Sequence, residues 1–109
     1  MKNKIVLITG ATSGIGKALA FEFGKQGSQV AITGRREKEL QEVKQQLENK
    51  GISCLAITGD VSIEADAKQM VEQTVKHFGA LDILINNAGI SMRALFQDLD
   101  IEVFKKVMD

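Results

Sequence analysis

A short apolar run that stops at a glycine-spaced turn constrains this chain more than any other feature. Ile5, Val6, Leu7 and Ile8 are continuous and largely β-branched, the pattern of a strand buried on both faces of a parallel sheet. Gly10, Gly14 and Gly16 follow, and they remove Cβ atoms where the backbone must turn tightly and approach a ligand. The helix predicted to open there aims free N–H groups and the positive end of its dipole at that ligand, so a pyrophosphate is the natural occupant. A glycine-rich turn without a ligand is the plainer alternative.

The rest of the chain repeats the same alternation. Strands are predicted near residues 5–9, 29–33, 53–58 and 81–86, and helices near 14–26, 37–50, 63–78 and from 100 onward. This βαβαβαβα pattern in 109 residues is one α/β domain. Ala67, Met70, Val71, Thr74, Val75 and Phe78 form a core-facing stripe on the third helix; Leu40, Val43 and Leu47 do so on the second. Fourteen basic and fourteen acidic residues give zero net charge without long like-charged blocks, which argues against a nucleic-acid partner. Lys2 and Lys4 precede an apolar run too short for a signal peptide, and no stretch reaches the roughly twenty apolar residues of a membrane span. The single cysteine, Cys54, is expected in a central strand as a buried thiol, which points to a reducing, cytoplasmic compartment. His77, near a helix end, is explained by the dipole, and no metal-ligand set is expected.

Spacing separates the phosphate-binding loops. Gly16-Lys17 fits the end of a Walker A loop, but Ala11 stands in place of its first glycine and Ala18 in place of its hydroxyl residue. The dinucleotide pattern G-x-G-x-x-G fails as well, because Gly10, Gly14 and Gly16 are spaced G-x-x-x-G-x-G. The segment resembles the T-G-x-x-x-G-I-G motif of the short-chain dehydrogenase/reductase family, matched at Thr9, Gly10, Gly14, Ile15 and Gly16. Asn86-Asn87-Ala88-Gly89 resembles the family's N-N-A-G motif, and Gly59-Asp60-Val61 supplies a third match. Asn-Asn beside glycine is also ordinary turn chemistry, and Asp60 or Ser62 could serve as a helix cap.

The resemblance implies a Rossmann-type doubly wound parallel sheet of strand order 3-2-1-4, incomplete within this chain, with a nicotinamide dinucleotide as cofactor. It implies that Gly10, Thr12, Ser13, Gly14, Ile15 and Gly16 frame the pyrophosphate. Asp60 and Val61 would then meet the adenine, and Asn87, Ala88 and Gly89 the adjoining ribose. At the end of the second strand an NAD site usually has an acidic residue, whereas this chain has Gly34-Arg35-Arg36. Arg35 and Arg36 would suit a 2′-phosphate, so NADP(H) is expected over NAD(H); with both arginines replaced by Ala, Gly34→Asp is expected to move preference further toward NAD(H). A solvated basic turn, with Glu37 pairing either arginine, is the alternative.

The implied activity is hydride transfer between a carbonyl and an alcohol on a small molecule. The family's chemistry uses a Tyr, a Lys four residues on, a Ser and an Asn, yet this chain has no tyrosine. The 109 residues are therefore expected to be the amino-terminal, cofactor-binding part of a longer enzyme. They would end within the fourth helix, at the apolar stripe Phe104, Val107 and Met108, and be inactive alone. The fourth strand would then be an open apolar edge, which suggests aggregation, pairing with another chain, or a stability of only a few kcal/mol. The resemblance also implies a homo-oligomer for the complete protein. Ile90-Ser91-Met92-Arg93 would begin the substrate mouth or be a plain surface loop. A short non-catalytic module that binds nucleotide or a partner is the alternative from another class.

Overall fold

The apolar run after Lys4 becomes β1 (Ile5–Thr9), none of whose residues is more than 5% exposed. A computed structural model describes residues 2–12 and 14–87 of the chain. After β1 come α1 (Gly14–Lys25), β2 (Gln29–Gly34), α2 (Glu37–Asn49), β3 (Cys54–Thr58), α3 (Glu64–Phe78) and β4 (Ile83–Asn86). The strands form one parallel sheet of order β3-β2-β1-β4, with Val6 opposite both Val30 and Ile83. This is the Rossmann-type arrangement, and every crossover among the described elements carries a helix.

Alternation along each strand divides the core in two. Val6, Ile8, Val30, Ile32 and Cys54 pack with Ala20 of α1 and Leu40, Val43 and Leu47 of α2. Ile5, Leu7, Ala31 and Ile57 point to the opposite face and pack with Met70 and Val71 of α3. Helices thus cover both faces, which is why β1 and β2 read as unbroken apolar runs. Gly79 ends α3 in the left-handed region at φ 88°, and its N–H donates to the Val75 carbonyl at 2.7 Å. Among the described residues no helix is long and apolar enough to cross a membrane.

The structure departs from the sequence reading in two places. Leu81 is fully buried, but β4 starts only at Ile83, because Asp82 pairs with β1 through its side chain. The Ile5 N–H donates to Asp82 Oδ2 at 2.9 Å, and the Asp82 N–H donates to the Ile5 carbonyl at 2.9 Å. A carboxylate there replaces a strand carbonyl. Cys54 lies on β3, the outermost strand rather than a central one, and is buried because α2 and Ile52 pack over it. The fourth helix, with Phe104, Val107 and Met108, lies outside the described residues. Among the described residues β4 bounds the other side of the sheet, and Ile83, Leu84 and Ile85 are half-buried.

Burial pushes the Cys54 thiol from its ordinary 9.0 up to about 12, with nearby Glu48 adding to the effect and Lys44 opposing it. A thiol raised in the folded state favours folding below pH 9; above that, the unfolded chain ionises first and stability falls as pH climbs toward 12. Urea unfolding at several alkaline pH values is expected to show this loss, and Cys54→Val is expected to flatten it. At pH 8 the native thiol should react with a disulfide reagent more slowly than the unfolded chain, because less of it is thiolate.

Candidate functional site

Because all four strands run parallel, their carboxyl ends meet on one edge, and the candidate residues gather along it. β2 and β4 flank β1 on opposite sides, so the crevice beyond β1 and β4 is the topological switch point where ligands of such sheets bind. Backbone bonds join the loops into a continuous rim. The Ala11 N–H donates to the Thr33 carbonyl at 3.0 Å, and the Gly59 N–H donates to the Gly34 carbonyl at 3.0 Å.

The glycines of the first loop have separate tasks. Gly10 and Gly14 hold φ values of 66° and 59°, which side chains disfavour. A Cβ on Gly14 would meet nothing within 4 Å, so this residue leaves open space in front of α1. Gly16 is buried, and a Cβ there would collide with the Gly10 carbonyl oxygen and stand 2.6 Å from Asn87 Nδ2. Gly14 therefore shapes the open face, while Gly16 lets α1 close on the turn. Ile15 is 71% exposed beside this opening, an unusual place for a large aliphatic side chain in water. Among the described helices α1 alone carries no acidic residue in its first turn; α2 has Glu37 and Glu39, and α3 has Glu64 and Asp66. No carboxylate there offsets its dipole.

Asn87 sits at the end of β4, and its Nδ2 donates to the Gly10 carbonyl at 3.0 Å. Its side chain is thus spent on the glycine turn, the neighbouring-backbone role open to an amide at a strand end. The buried Thr9 hydroxyl reaches the Ile85 carbonyl at 3.4 Å and Asn86 Oδ1 at 3.3 Å, a second stitch between β1 and β4. Ser13, Ala88, Gly89 and the segment Ile90-Ser91-Met92-Arg93 lie outside the described residues.

At the next two strand ends, charge is arranged with more detail than the sequence indicated. Arg35 and Arg36 are both exposed; Arg36 Nε lies 3.8 Å from Glu39 Oε2, so its partner is Glu39, one turn along, rather than Glu37. Arg35 has no ion pair among the described residues and acts electrostatically on Asp60. Asp60 does not cap α3, nor does Ser62: the cap position is Ile63, without a side-chain bond. Asp60 Oδ1 instead accepts from the Ser62 N–H at 2.9 Å and its hydroxyl at 2.6 Å, and these bonds, with Arg35, hold its carboxyl below the ordinary range. Asp66 escaped the sequence reading: its Oδ2 accepts from the Asp60 N–H at 2.9 Å and so fixes the loop carrying Asp60 and Val61. An acidic residue three places after a helix cap was the available signal. Val61 packs its side chain toward α3.

The room at Gly34 also differs from expectation. Gly34 is buried, and a Cβ there would stand 2.7 Å from Thr12 Cγ2, so an aspartate does not fit without displacing Thr12. Gly34→Asp alone is therefore a strained variant, not a clean exchange of specificity.

Comparison with known proteins places this geometry. The short chain dehydrogenase family model matches residues 4–109. The chain belongs to this family. It is 40% identical over 109 residues to a peroxisomal 2,4-dienoyl-CoA reductase of Arabidopsis thaliana, covering all of this chain and 37% of that protein. The fold superposes on L-sorbose reductase from Gluconobacter frateurii, solved with NADPH and L-sorbose, with a TM-score of 0.81 and 29% identity. That match covers 99% of this chain and 47% of the reductase. A short chain dehydrogenase/reductase from Burkholderia phymatum, solved with NAD, gives a TM-score of 0.75 at 26% identity over 76% of this chain and 30% of that one. The short-chain dehydrogenase segment thus spans less than half the length of these relatives.

Gly16→Ala is expected to lower the melting temperature more than Gly14→Ala. The first forces atoms into occupied space, at about 1–3 kcal/mol and without an easy outlet because the obstacle includes backbone. The second costs only about 1–2 kcal/mol of backbone strain. Thermal unfolding of both variants beside the parent reads the order directly.

Proposed function

We propose that this chain is the cofactor-binding part of an NADP(H)-dependent oxidoreductase that interconverts a carbonyl and an alcohol on a small molecule. The observation that carries the reading is the glycine turn: it is pinned to β2 and β4, stays open at Gly14, and faces a helix start without carboxylates. These features fit a pyrophosphate, which needs backbone donors, a positive dipole end and no intruding side chain. When bound, the nicotinamide of such a cofactor supplies or accepts the hydride.

In this reading Gly10, Thr12, Ser13, Gly14, Ile15 and Gly16 surround the pyrophosphate. Asp60 and the Val61 main chain take the adenine, with the Asp60 carboxylate kept ionised as an acceptor by Ser62 and Arg35. Asn87, Ala88 and Gly89 border the adjoining ribose; the Asn87 amide contributes by holding Gly10 in place. Arg35, without an ion pair among the described residues, is the first candidate for the 2′-phosphate. Arg36 assists, since a solvent-exposed pair at 3.8 Å is weak and readily exchanged. The residues of proton transfer are not among these 109, which contain no tyrosine, so the role of the segment is to bind and orient. The full-length protein would act in the cytoplasm as a homo-oligomer.

Two measurements on the full-length protein test this. Gly14→Val is expected to abolish dinucleotide binding in a protein that still folds, because the new side chain would occupy the open space before α1. Unchanged affinity would remove the pyrophosphate assignment. Replacing Arg35 and Arg36 by Ala is expected to weaken NADPH by about 1.5–3 kcal/mol for each charge-assisted hydrogen bond removed, while NADH changes little. In the parent, NADPH affinity should also fall with added salt. Equal discrimination by parent and double variant would make the arginines a solvated turn.

A further inference from the structure

We infer that Thr12 and Gly34 form a steric pair, in which the Thr12 methyl dictates that position 34 carry no side chain and thereby sets which dinucleotide the site prefers. The inference rests on the reading of the β2 end as the ribose site, and goes beyond it by assigning specificity to a residue of the glycine turn.

Gly34 is the last residue of β2, lies opposite Thr58 of β3, and offers its carbonyl to the Gly59 N–H. It is therefore fixed on the β3 side. A Cβ built on it meets Thr12 Cγ2 at 2.7 Å, Leu40 Cδ1 at 3.5 Å and Thr12 Cβ at 3.9 Å. The last two are ordinary contacts, so the obstruction is one methyl group. That methyl has little freedom. Ala11, immediately before Thr12, is fully buried and its N–H is bound to the Thr33 carbonyl, so the turn cannot lift from β2 without breaking that bond. A β-branched side chain is also stiff at χ1.

A carboxylate at position 34 is the device that would accept both ribose hydroxyls and repel a 2′-phosphate. Thr12 excludes this device before any ligand arrives, leaving the β2 end to Arg35. Thr12 acts here through residue 34, so it is a specificity determinant by exclusion. Thr12→Ser removes Cγ2, keeps the hydroxyl and leaves Cβ of residue 12 at 3.9 Å from a residue-34 Cβ.

The test is a double-mutant cycle on the full-length protein: parent, Thr12→Ser, Gly34→Asp and the double variant, each measured for melting temperature and for NADPH and NADH affinity by titration. Thr12→Ser alone supplies the reference for any effect of its own. Gly34→Asp in the parent background is expected to lower the melting temperature by roughly 3–8 °C, and the double variant to regain at least half of that loss relative to its reference. The preference for NADH over NADPH should rise about tenfold more when Gly34→Asp is introduced into the Thr12→Ser background than into the parent. If Gly34→Asp fails to fold, Gly34→Ala carries the same methyl clash and its melting temperature gives the same comparison. Equal changes in both backgrounds, in stability and in preference, overturn the pairing. Recovered stability with an unmoved preference in both backgrounds overturns the proposal at its other step, the ribose reading of the β2 end, so the two failures are told apart.

Discussion

The Gly10 carbonyl is the point on which the candidate site depends. The missing Cβ of Gly16 lets α1 press directly against it, and the Asn87 amide donates to it from the end of β4. One residue later, Ala11 binds the end of β2. A single turn is thereby held by β1, β2, β4 and α1, so its shape is set by the protein alone. Such preorganisation spares a ligand the cost of ordering the loop. The positive φ values at Gly10 and Gly14 cost little, because neither residue carries a Cβ.

Electrostatics at the strand ends follows from where carboxylates are placed. Those in the first turns of α2 and α3 offset the dipoles of those helices, whereas α1 has none to compete with an incoming anion. Asp60, in the loop after β3, is bound to Ser62 and feels the charge of Arg35. Arg36 and Glu39 share charge on the outer surface at the start of α2. The rim thus separates a neutral, dipole-driven half at Gly14 from a half governed by side-chain charge at Arg35 and Asp60.

Much of this was legible in the sequence, and for a physical reason. Strands buried on both faces leave apolar runs, amphipathic helices leave stripes such as Leu40, Val43 and Leu47, and both patterns are local. Strand order came through family resemblance. What escaped was contact that local patterns do not record. Asp82 shortens β4 because it meets Ile5, Cys54 is buried by a helix over an outer strand, and Asp66 turns back to the Asp60 amide. The crowding of Gly34 by Thr12 was invisible for the same reason: neither segment is unusual in composition, and only their packing leaves no room for a side chain at 34.

The pairing of Ile5 with Asp82 has a consequence for the history of each molecule. β1 leaves the ribosome ahead of both its neighbours, and β2 reaches it within a few tens of residues, but the group that satisfies the Ile5 amide is 77 residues downstream. Throughout that interval one flank of the central strand has no neighbour, and its unpaired amides and carbonyls are open to whatever extended chain is nearby. Synthesis adds only about 5–20 residues per second, far slower than helices or loops form, so nascent chains would pass that interval with the strand beneath the glycine turn half-paired. The element that anchors the finished molecule is also the one that waits longest to be completed.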